Sequence, residues 1–244
     1  MEEKEILQAL ELPKETHILR TFPFNRLAPR FEVKDKKFFQ GSVEPHGVRL
    51  LATINTNTTN IPAYEDEQKV YQEIHYFQIK MKDVKSAKRI YRMIAEAMPY
   101  PLLIRFVTSK GILWIGAIHE RVEKTGLLKM QDVFSSNPEI DEKLYLTNWA
   151  FSRADTYNLK AFYENLLNQM VQIELKERYE AVTDQELTDN IVTLDKIIAL
   201  EKEIAFYISK AKKETQMNKR IEWQMKANTL KEKKEKYIKG KNNG

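Results

Sequence analysis

The hydrophobic positions in the first 150 residues alternate mostly with the two-residue period of β-strands. Four segments predict strands from this alternation and from their β-branched and aromatic residues: 48–56, 70–81, 128–134 and 143–150. The run LLIRFVTSKGILWIGAIHERV, with Gly111 between two apolar segments, predicts a β-hairpin. Residues 84–98 break the alternation, because apolar residues recur there every three or four positions and predict an amphipathic helix.

Two further segments precede these strands. Residues 2–10 predict a short helix that ends before Pro13. Residues 16–40 follow no single period but carry five phenylalanines, so we expect an extended segment packed on the core.

From Tyr157 onward the hydrophobic period becomes helical. A second helix is predicted to begin at the sequence TDQE, where Thr183 and Glu186 fit a capping box. Apolar residues then recur at spacings of three, four and seven, which is typical of a coiled-coil seam, although Glu201 interrupts it. The predicted seam, which we expect to bind a partner, consists of Leu187, Ile191, Leu194, Ile198 and Ile208. One long helix and a hairpin of two helices both fit residues 183–238.

These patterns together predict the fold class and the domains. We expect an α+β fold, with a mainly antiparallel sheet and helices on one side, followed by a C-terminal helical coiled-coil-like extension. The α+β body is predicted over residues 1–182 and the basic helical extension over residues 183–240. Residues 241–244 predict a disordered tail.

Composition narrows the classes of function. The 244 residues include no cysteine, which excludes disulfides, thiolate metal sites and a cysteine nucleophile, and which fits a cytoplasmic protein. The N-terminal sequence has no apolar run typical of a secretory signal, and no stretch approaches the roughly 18 apolar residues of a membrane span. The formal net charge is +5, yet residues 207–244 hold twelve Lys or Arg against four Asp or Glu.

The basic C-terminal segment is the candidate nucleic-acid-binding region, because lysine and arginine attract phosphate and aromatic rings can stack on bases. The candidate residues are Lys210, Lys212, Lys213, Lys219, Arg220, Trp223, Lys226, Lys233 and Lys234. Glutamates alternate with these lysines, and the same pattern is typical of an ordinary exposed helix with ion pairs between successive turns.

No catalytic constellation is predicted. Glu73 and His75 are two residues apart on a predicted strand and would share a face, but a satisfied structural pair is the preferred interpretation. His119 and Glu120 would project to opposite faces. A metal-dependent nuclease with Glu73 or Glu120 as a ligand is an alternative, although the predicted hairpin carries apolar residues where such ligands would lie. We expect no metal and no cofactor.

Three stretches together resemble a known family: LELPKETHILRTFP near the start, AEAMPYPLLIRF in the middle, and LEKEIAFYISKAKKETQMNKRIEWQMKANTLKEKKEKY near the end. In this order they resemble an uncharacterised bacterial family, one of the numbered domains of unknown function. The resemblance implies an α+β body with a helical tail. It also implies genes placed beside helicase-like ATPases and DNA methyltransferases, in restriction or phage-defence loci.

The functional prediction follows from the resemblance and the tail. We expect a non-catalytic accessory or adaptor subunit of a DNA-targeting system, which acts through its helical tail. Its expected partners are a helicase-like ATPase, a DNA methyltransferase subunit, or a second copy of the chain bound through the C-terminal helices. The first alternative is a nucleic-acid-binding module that contacts DNA through the basic helix, and the second is the metal-dependent nuclease.

Overall fold

The structure is a computed structural model, and it describes residues 1–98, 100–122, 124–125, 127–181 and 185–242. The chain divides into two compact units, residues 1–170 and residues 171–244. Of the predicted features, Thr183 and the last two residues, 243–244, lie outside the described residues. No helix in the described ranges combines the length and the apolar character that crossing a membrane requires.

Six strands of the first unit form one sheet. The strands of the chain are β1 (His17–Thr21), β2 (Val43–Asn55), β3 (Tyr64–Glu65), β4 (Val70–Tyr71), β5 (Glu73–Met81), β6 (Leu102–Thr108), β7 (Gly111–Arg121) and β8 (Leu128–Ser135). The sheet has the order β1-β2-β5-β6-β7-β8, and β3 pairs with β4 separately. All neighbours in the large sheet are antiparallel except β5 and β6, which are parallel.

Eight α-helices accompany the strands within the described residues. They are α1 (Glu3–Ala9), α2 (Val33–Ser42), α3 (Thr56–Thr59), α4 (Ala87–Ala97), α5 (Glu142–Asn148), α6 (Leu159–Tyr179), α7 (Leu187–Lys213) and α8 (Met217–Asn242). Helix α4 connects β5 to β6, because two parallel strands need a crossover between them. The division between the two units falls within α6, before the predicted boundary at residue 182. Helix α8 continues two residues into the predicted disordered tail.

One face of the sheet packs against α4 and against the segment that contains α2. Ile90 and Ile94 of α4 are buried with Ile104 of β6 and Ile115 of β7 in one hydrophobic cluster. Phenylalanines from residues 22–39 close the same core, and the rings of Phe24 and Phe39 stack with centroids 5.0 Å apart. The apolar stripe predicted for residues 84–98 is therefore the face that covers this side of the sheet.

The opposite face of the sheet packs against α6. A Cβ atom built on Gly116 of β7 would lie 2.6 Å from Leu167 Cδ2, so any side chain at residue 116 would require Leu167 of the helix to move. The Tyr163 hydroxyl donates a hydrogen bond to the carbonyl of Leu102 (2.7 Å) and accepts one from the amide of Ala117 (3.1 Å). This hydroxyl thus satisfies backbone groups where the pairing of β6 and β7 ends.

A buried polar network lies on this same face. The Arg105 guanidinium of β6, whose side chain is only 2% exposed, donates to both carboxylate oxygens of Glu142 on α5 at 2.7 and 2.8 Å. The Trp114 indole donates to the same carboxylate at 2.7 Å. Arg105 also donates to Gln78 (2.6 Å), and the Gln78 amide is 3.3 Å from a carboxylate oxygen of Glu3 on α1. Because an unpaired buried charge is costly, these partners fix both helices against the sheet.

The predicted α+β class, the mainly antiparallel sheet and the C-terminal helices are confirmed. The predicted cover of the sheet differs, because helices lie against both faces. The reason is that β5 and β6 bury side chains on both faces of the sheet. In β6, for example, Ile104 is buried on one face and Arg105 on the other.

Two local predictions are wrong. Residues 143–150 form no strand, because α5 covers Glu142–Asn148 and the Asp141 side chain caps its start by accepting from the amide of Lys143. The buried residues Tyr145 and Leu146 of α5, and Trp149 directly after it, have helical spacing. Residues 16–40 are packed on the core as expected, but they are not extended throughout, since α2 begins at Val33.

We expect the substitution Glu142→Gln to destabilise the protein strongly. It removes the carboxylate that pairs with the buried Arg105, and breaking one side of a buried ion pair costs about 3 to 5 kcal/mol. Urea unfolding of both proteins measures the difference. The exposed Glu139→Gln variant is the control and should change the free energy of unfolding by less than about 0.5 kcal/mol. Equal effects of the two substitutions would contradict the structural role of the pair.

Candidate nucleic-acid interface

Helices α7 and α8 form an antiparallel hairpin. The Tyr207 ring stacks on Trp223 near the turn, while Lys196 Nζ lies 4.3 Å from the Tyr237 ring centroid far from the turn. In the turn, a carboxylate oxygen of Glu214 accepts hydrogen bonds from the amides of Thr215 and Gln216, both at 3.0 Å. Of the two arrangements that fit the sequence, the hairpin is thus the observed one.

The buried seam of α7 is offset by one residue from most of the predicted seam. The buried residues of α7 are Leu187, Asn190, Thr193, Ile197, Leu200, Ile204 and Ala211. Residues 190, 197, 204 and 211 follow one another at seven-residue spacing, which is the period of coiled-coil packing. Since α8 pairs with α7 along the hairpin, this period serves packing between two helices of the same chain.

Of the five predicted seam residues, only Leu187 is buried. Ile191, Leu194, Ile198 and Ile208 are half-buried and lie beside the seam. The seam itself includes two polar residues whose side chains are satisfied locally. The Asn190 amide donates to the carbonyl of Gln185 (2.8 Å), and the Thr193 hydroxyl donates to the carbonyl of Asp189 (2.9 Å). Because these two buried positions are polar, the spacing of apolar residues does not indicate them.

The adjacent residues Ile197 and Ile198 test the position of the seam. Ile197 is fully buried and Ile198 is half-buried, so truncation should create a cavity only at residue 197. We expect Ile197→Ala to lower the free energy of unfolding by about 2 to 5 kcal/mol, and Ile198→Ala to cost clearly less. Urea unfolding followed by helical circular dichroism measures both variants. A larger loss for Ile198→Ala would place the seam where the sequence predicted it.

An aromatic cluster holds two of the predicted basic residues. The rings of Tyr207 and Trp223 stack with centroids 5.7 Å apart. Lys210 Nζ and Lys226 Nζ lie 4.6 and 4.5 Å from the Trp223 ring centroid, at distances typical of cation–π contacts. Lys226 also contacts Glu222 at 2.7 Å, and this hydrogen bond lowers the pKa of Glu222. Because Trp223 already contacts these three side chains, it orders the basic residues and is not a free surface for a stacked base.

Four other predicted basic residues flank the turn. Lys212 and Lys213 end α7, and Lys219 and Arg220 lie in the first turns of α8. All four are exposed, and none forms an ion pair with a described residue. The two carboxylates nearest in sequence are otherwise engaged, since Glu214 binds amides of the turn and Glu222 binds Lys226. The turn end of the hairpin therefore carries uncompensated positive charge, and we name these four residues the tip cations.

The last two predicted basic residues differ from each other. Lys233 is exposed and forms no ion pair with a described residue. Lys234 lies 3.2 Å from a carboxylate oxygen of Glu201, whose other oxygen accepts a hydrogen bond from the Tyr179 hydroxyl at 2.9 Å. Glu201, which interrupts the apolar sequence pattern, therefore joins α6, α7 and α8 in the second unit.

His75 and Glu73 share a face of β5, as the sequence predicts. His75 Nε2 lies 3.3 Å from Glu73 Oε1, and Nδ1 lies 3.1 Å from the Thr53 hydroxyl on β2. Burial lowers the pKa of His75, and the Glu73 carboxylate acts in the opposite direction. Both nitrogens lie close to protein side chains, an arrangement typical of a structural pair.

His119 and Glu120 differ in burial, as expected for neighbours on a strand that project to opposite faces. Glu73 and Glu120, the carboxylates of the nuclease hypothesis, lie on β5 and β7 with β6 between them. Within the part of the chain that the structure describes, no three His, Asp or Glu side chains are grouped so that they could hold a metal ion.

We expect His119 to make the stability of the protein depend on pH. Burial lowers the pKa of His119 to about 4 from an ordinary value of 6.5. The unfolded chain therefore binds a proton before the folded chain does, and stability falls as the pH decreases from 6.5 towards 4. Between pH 7 and pH 5 this group should cost about 2 kcal/mol.

Urea unfolding at the two pH values measures the loss, which His119→Gln should reduce by about 2 kcal/mol. The substitution His46→Gln, at an exposed histidine, should leave it in place. A wild-type loss that persists undiminished in His119→Gln would rule out this residue as its source.

An α+β unit and a basic helical hairpin in one chain define the class of protein. Residues 10–235 match the family described as Domain of unknown function (DUF4391), and the chain belongs to that family. No curated protein and no solved structure matches the chain. Membership of a family of unknown function, predicted from three stretches of sequence, is confirmed. The expected placement of the gene beside genes for helicase-like ATPases and DNA methyltransferases stays a prediction.

Proposed function

We propose that the protein is a non-catalytic, nucleic-acid-binding accessory subunit, and that the tip cations of its helical hairpin contact phosphates. The observation that carries this proposal is the absence of ion-pairing partners for Lys212, Lys213, Lys219 and Arg220 among the described residues. Lysine and arginine that lack intramolecular partners bind phosphate without first breaking an ion pair.

The distribution of charge supports the turn end of the hairpin as the contact region. Near the other end, Lys234 is paired with Glu201, and Lys196 lies over the ring of Tyr237. At the turn end, the acidic residues Glu214 and Glu222 are engaged, and Lys210 and Lys226 are held against Trp223. A phosphate backbone would therefore meet a group of exposed cations there, beside two lysines that contact Trp223.

The proposed binding does not depend on base sequence. The surface offers mainly charges, and the ring of Trp223, the aromatic residue among the candidate binding residues, already stacks on Tyr207. Contacts of this kind position a protein on nucleic acid, while base contacts supply specificity. Recognition of a particular sequence would then belong to a partner, and a helicase-like ATPase or a DNA methyltransferase is the kind of partner that we propose.

The test compares wild-type protein with a variant in which all four tip cations are changed to glutamine. Affinity for short labelled duplex and single-stranded DNA is measured by fluorescence anisotropy at several salt concentrations. Each duplex phosphate contact contributes about 0.9 to the slope of log affinity against log salt, so losing four contacts should reduce the slope by roughly 3 to 4.

The matched control changes four exposed lysines of the first unit, Lys14, Lys37, Lys85 and Lys88, to glutamine. It alters the net charge by the same amount, and we expect it to retain most of the wild-type affinity and salt slope. Equal losses of affinity in the two variants would show that binding depends only on net charge and not on the tip cations. No binding by the wild-type protein at low salt would remove the proposal.

A second candidate function is docking of a protein partner on the hairpin. Its support is a set of exposed apolar residues near the turn: Phe206 (53% exposed), Met217 (68%), Ile221 (51%) and Met225 (65%). Such residues are uncommon in a group on a surface that only meets water. A second copy of the chain is the partner that can be tested directly, by light scattering of the wild-type protein and of Ile221→Ser/Met225→Ser. A dimer that the double substitution dissociates supports this function, and a monomer at all concentrations excludes self-association.

A further inference from the structure

A cavity of about 360 Å³ lies between α4 and the paired strands β7 and β8 in the first unit. Helix α4 contributes Arg92 and Glu96, β7 contributes His119, and β8 contributes Met130 and Val133. Small-molecule sites are concave, largely apolar and roughly 300 to 1,000 Å³ in volume, with a few polar groups that fix the ligand. The cavity agrees with that description in size, and its lining is more polar than that of a typical site, with apolar side chains on one part of the wall.

His119 is a buried polar group whose hydrogen bonding the described residues meet only weakly, through the backbone of Ala117. The residue is 8% exposed, and neither ring nitrogen makes a hydrogen bond of ordinary geometry with a described residue. It follows Ile115 and Ala117 at two-residue spacing on β7, so its ring lies on the face that α4 covers. Buried polar side chains without partners are rare in proteins, and each one needs an explanation.

The strand pairing is irregular at this place. Ala117 pairs with Val133 and His119 pairs with Met130, so β8 contains one more residue than β7 between these pairs. The extra residue makes a β-bulge, and its neighbours Met130, Gln131 and Val133 line the cavity. Bulges bend a strand and redirect side chains, and they occur often beside binding sites.

The charge around the cavity favours an anion. Two cationic residues, Arg92 and Lys129, border it, against the single acidic residue Glu96. Arg92 is exposed and forms no ion pair with any residue that the structure describes. A guanidinium is planar and donates two parallel hydrogen bonds to a carboxylate or a phosphate. A neutral imidazole adds one further donor from its protonated nitrogen.

We propose that this cavity binds a small organic molecule through an oxyanion group, with Arg92 and His119 as donors and Met130 and Val133 against its apolar part. The oxyanion is a phosphate monoester or a carboxylate, because the two groups present the same acceptor oxygens to these donors. This site lies within the first unit, and the proposal is independent of nucleic-acid binding by the hairpin.

The experiment uses the full chain and follows the ring protons of the four histidines by nuclear magnetic resonance. His119→Gln identifies the signal of residue 119. The probes are phenyl phosphate and benzoate, with inorganic phosphate as the anion without an apolar part and benzyl alcohol as the neutral analogue. Because a bound anion favours the imidazolium form, the anionic probes should also raise the pKa of His119 by about one pH unit.

We expect at least one of the two aromatic anions to shift the His119 signals in a saturable manner. Arg92→Gln should weaken that probe about tenfold, since it removes a charge-assisted hydrogen bond. The control Lys88→Gln removes an equally exposed charge of α4 outside the cavity and should leave the affinity unchanged.

Each remaining outcome has a defined meaning. Tighter binding of phenyl phosphate identifies a phosphate monoester, and tighter binding of benzoate identifies a carboxylate. Inorganic phosphate that binds as tightly as phenyl phosphate would overturn the role of the apolar wall. Equal binding of benzyl alcohol, or no shift of the His119 signals by either aromatic anion at millimolar concentration, would overturn the proposal.

Discussion

The guanidinium of Arg105 lies inside the first unit, on a central strand of the sheet, and its charge must be balanced where no water reaches it. Glu142 supplies the opposite charge and accepts two hydrogen bonds from the guanidinium, and the side-chain oxygen of Gln78 accepts a third. Through Gln78 the network continues to Glu3, which also accepts from Arg49 on β2 at 2.9 Å. Because a buried charge allows few alternative arrangements, this chain of contacts fixes where α1 and α5 lie on the sheet.

The two faces of the sheet are used differently. On the face that carries the Arg105 network, the buried charges of Arg105 and Glu142 are paired, and Leu167 of α6 packs directly over Gly116. The other face is almost wholly apolar beneath α4, except towards the edge strand β8, where His119 is buried and makes only a weak contact with the backbone of Ala117 among the described residues. The buried imidazole of His119, at the end of the hydrophobic cluster under α4, is the feature that distinguishes the cavity beside it.

Much of the fold could be predicted from local sequence. Gly111 adopts a φ of 153° between β6 and β7, which explains why the sequence around it predicts a hairpin. Residues 143–150 resemble a strand because polar and apolar residues mix over a short distance in YLTNWA, whereas the Asp141 side chain caps a helix there. The pairing of Arg105 with Glu142 joins residues 37 positions apart, and no local pattern indicates it.

The candidate site was predictable in part. The basic residues follow from composition alone, but which of them are free depends on distances between helices, as the contrast between Lys233 and Lys234 illustrates. The buried seam is offset by one residue from the predicted seam because it includes Asn190 and Thr193, whose side chains donate hydrogen bonds to nearby backbone carbonyls.

Tyr163 has a different kind of consequence. Its hydroxyl completes the backbone bonding of Leu102 and Ala117. A ribosome must therefore extend the nascent chain past Tyr163 before the sheet, whose strands are all synthesised earlier, can reach its final bonded state.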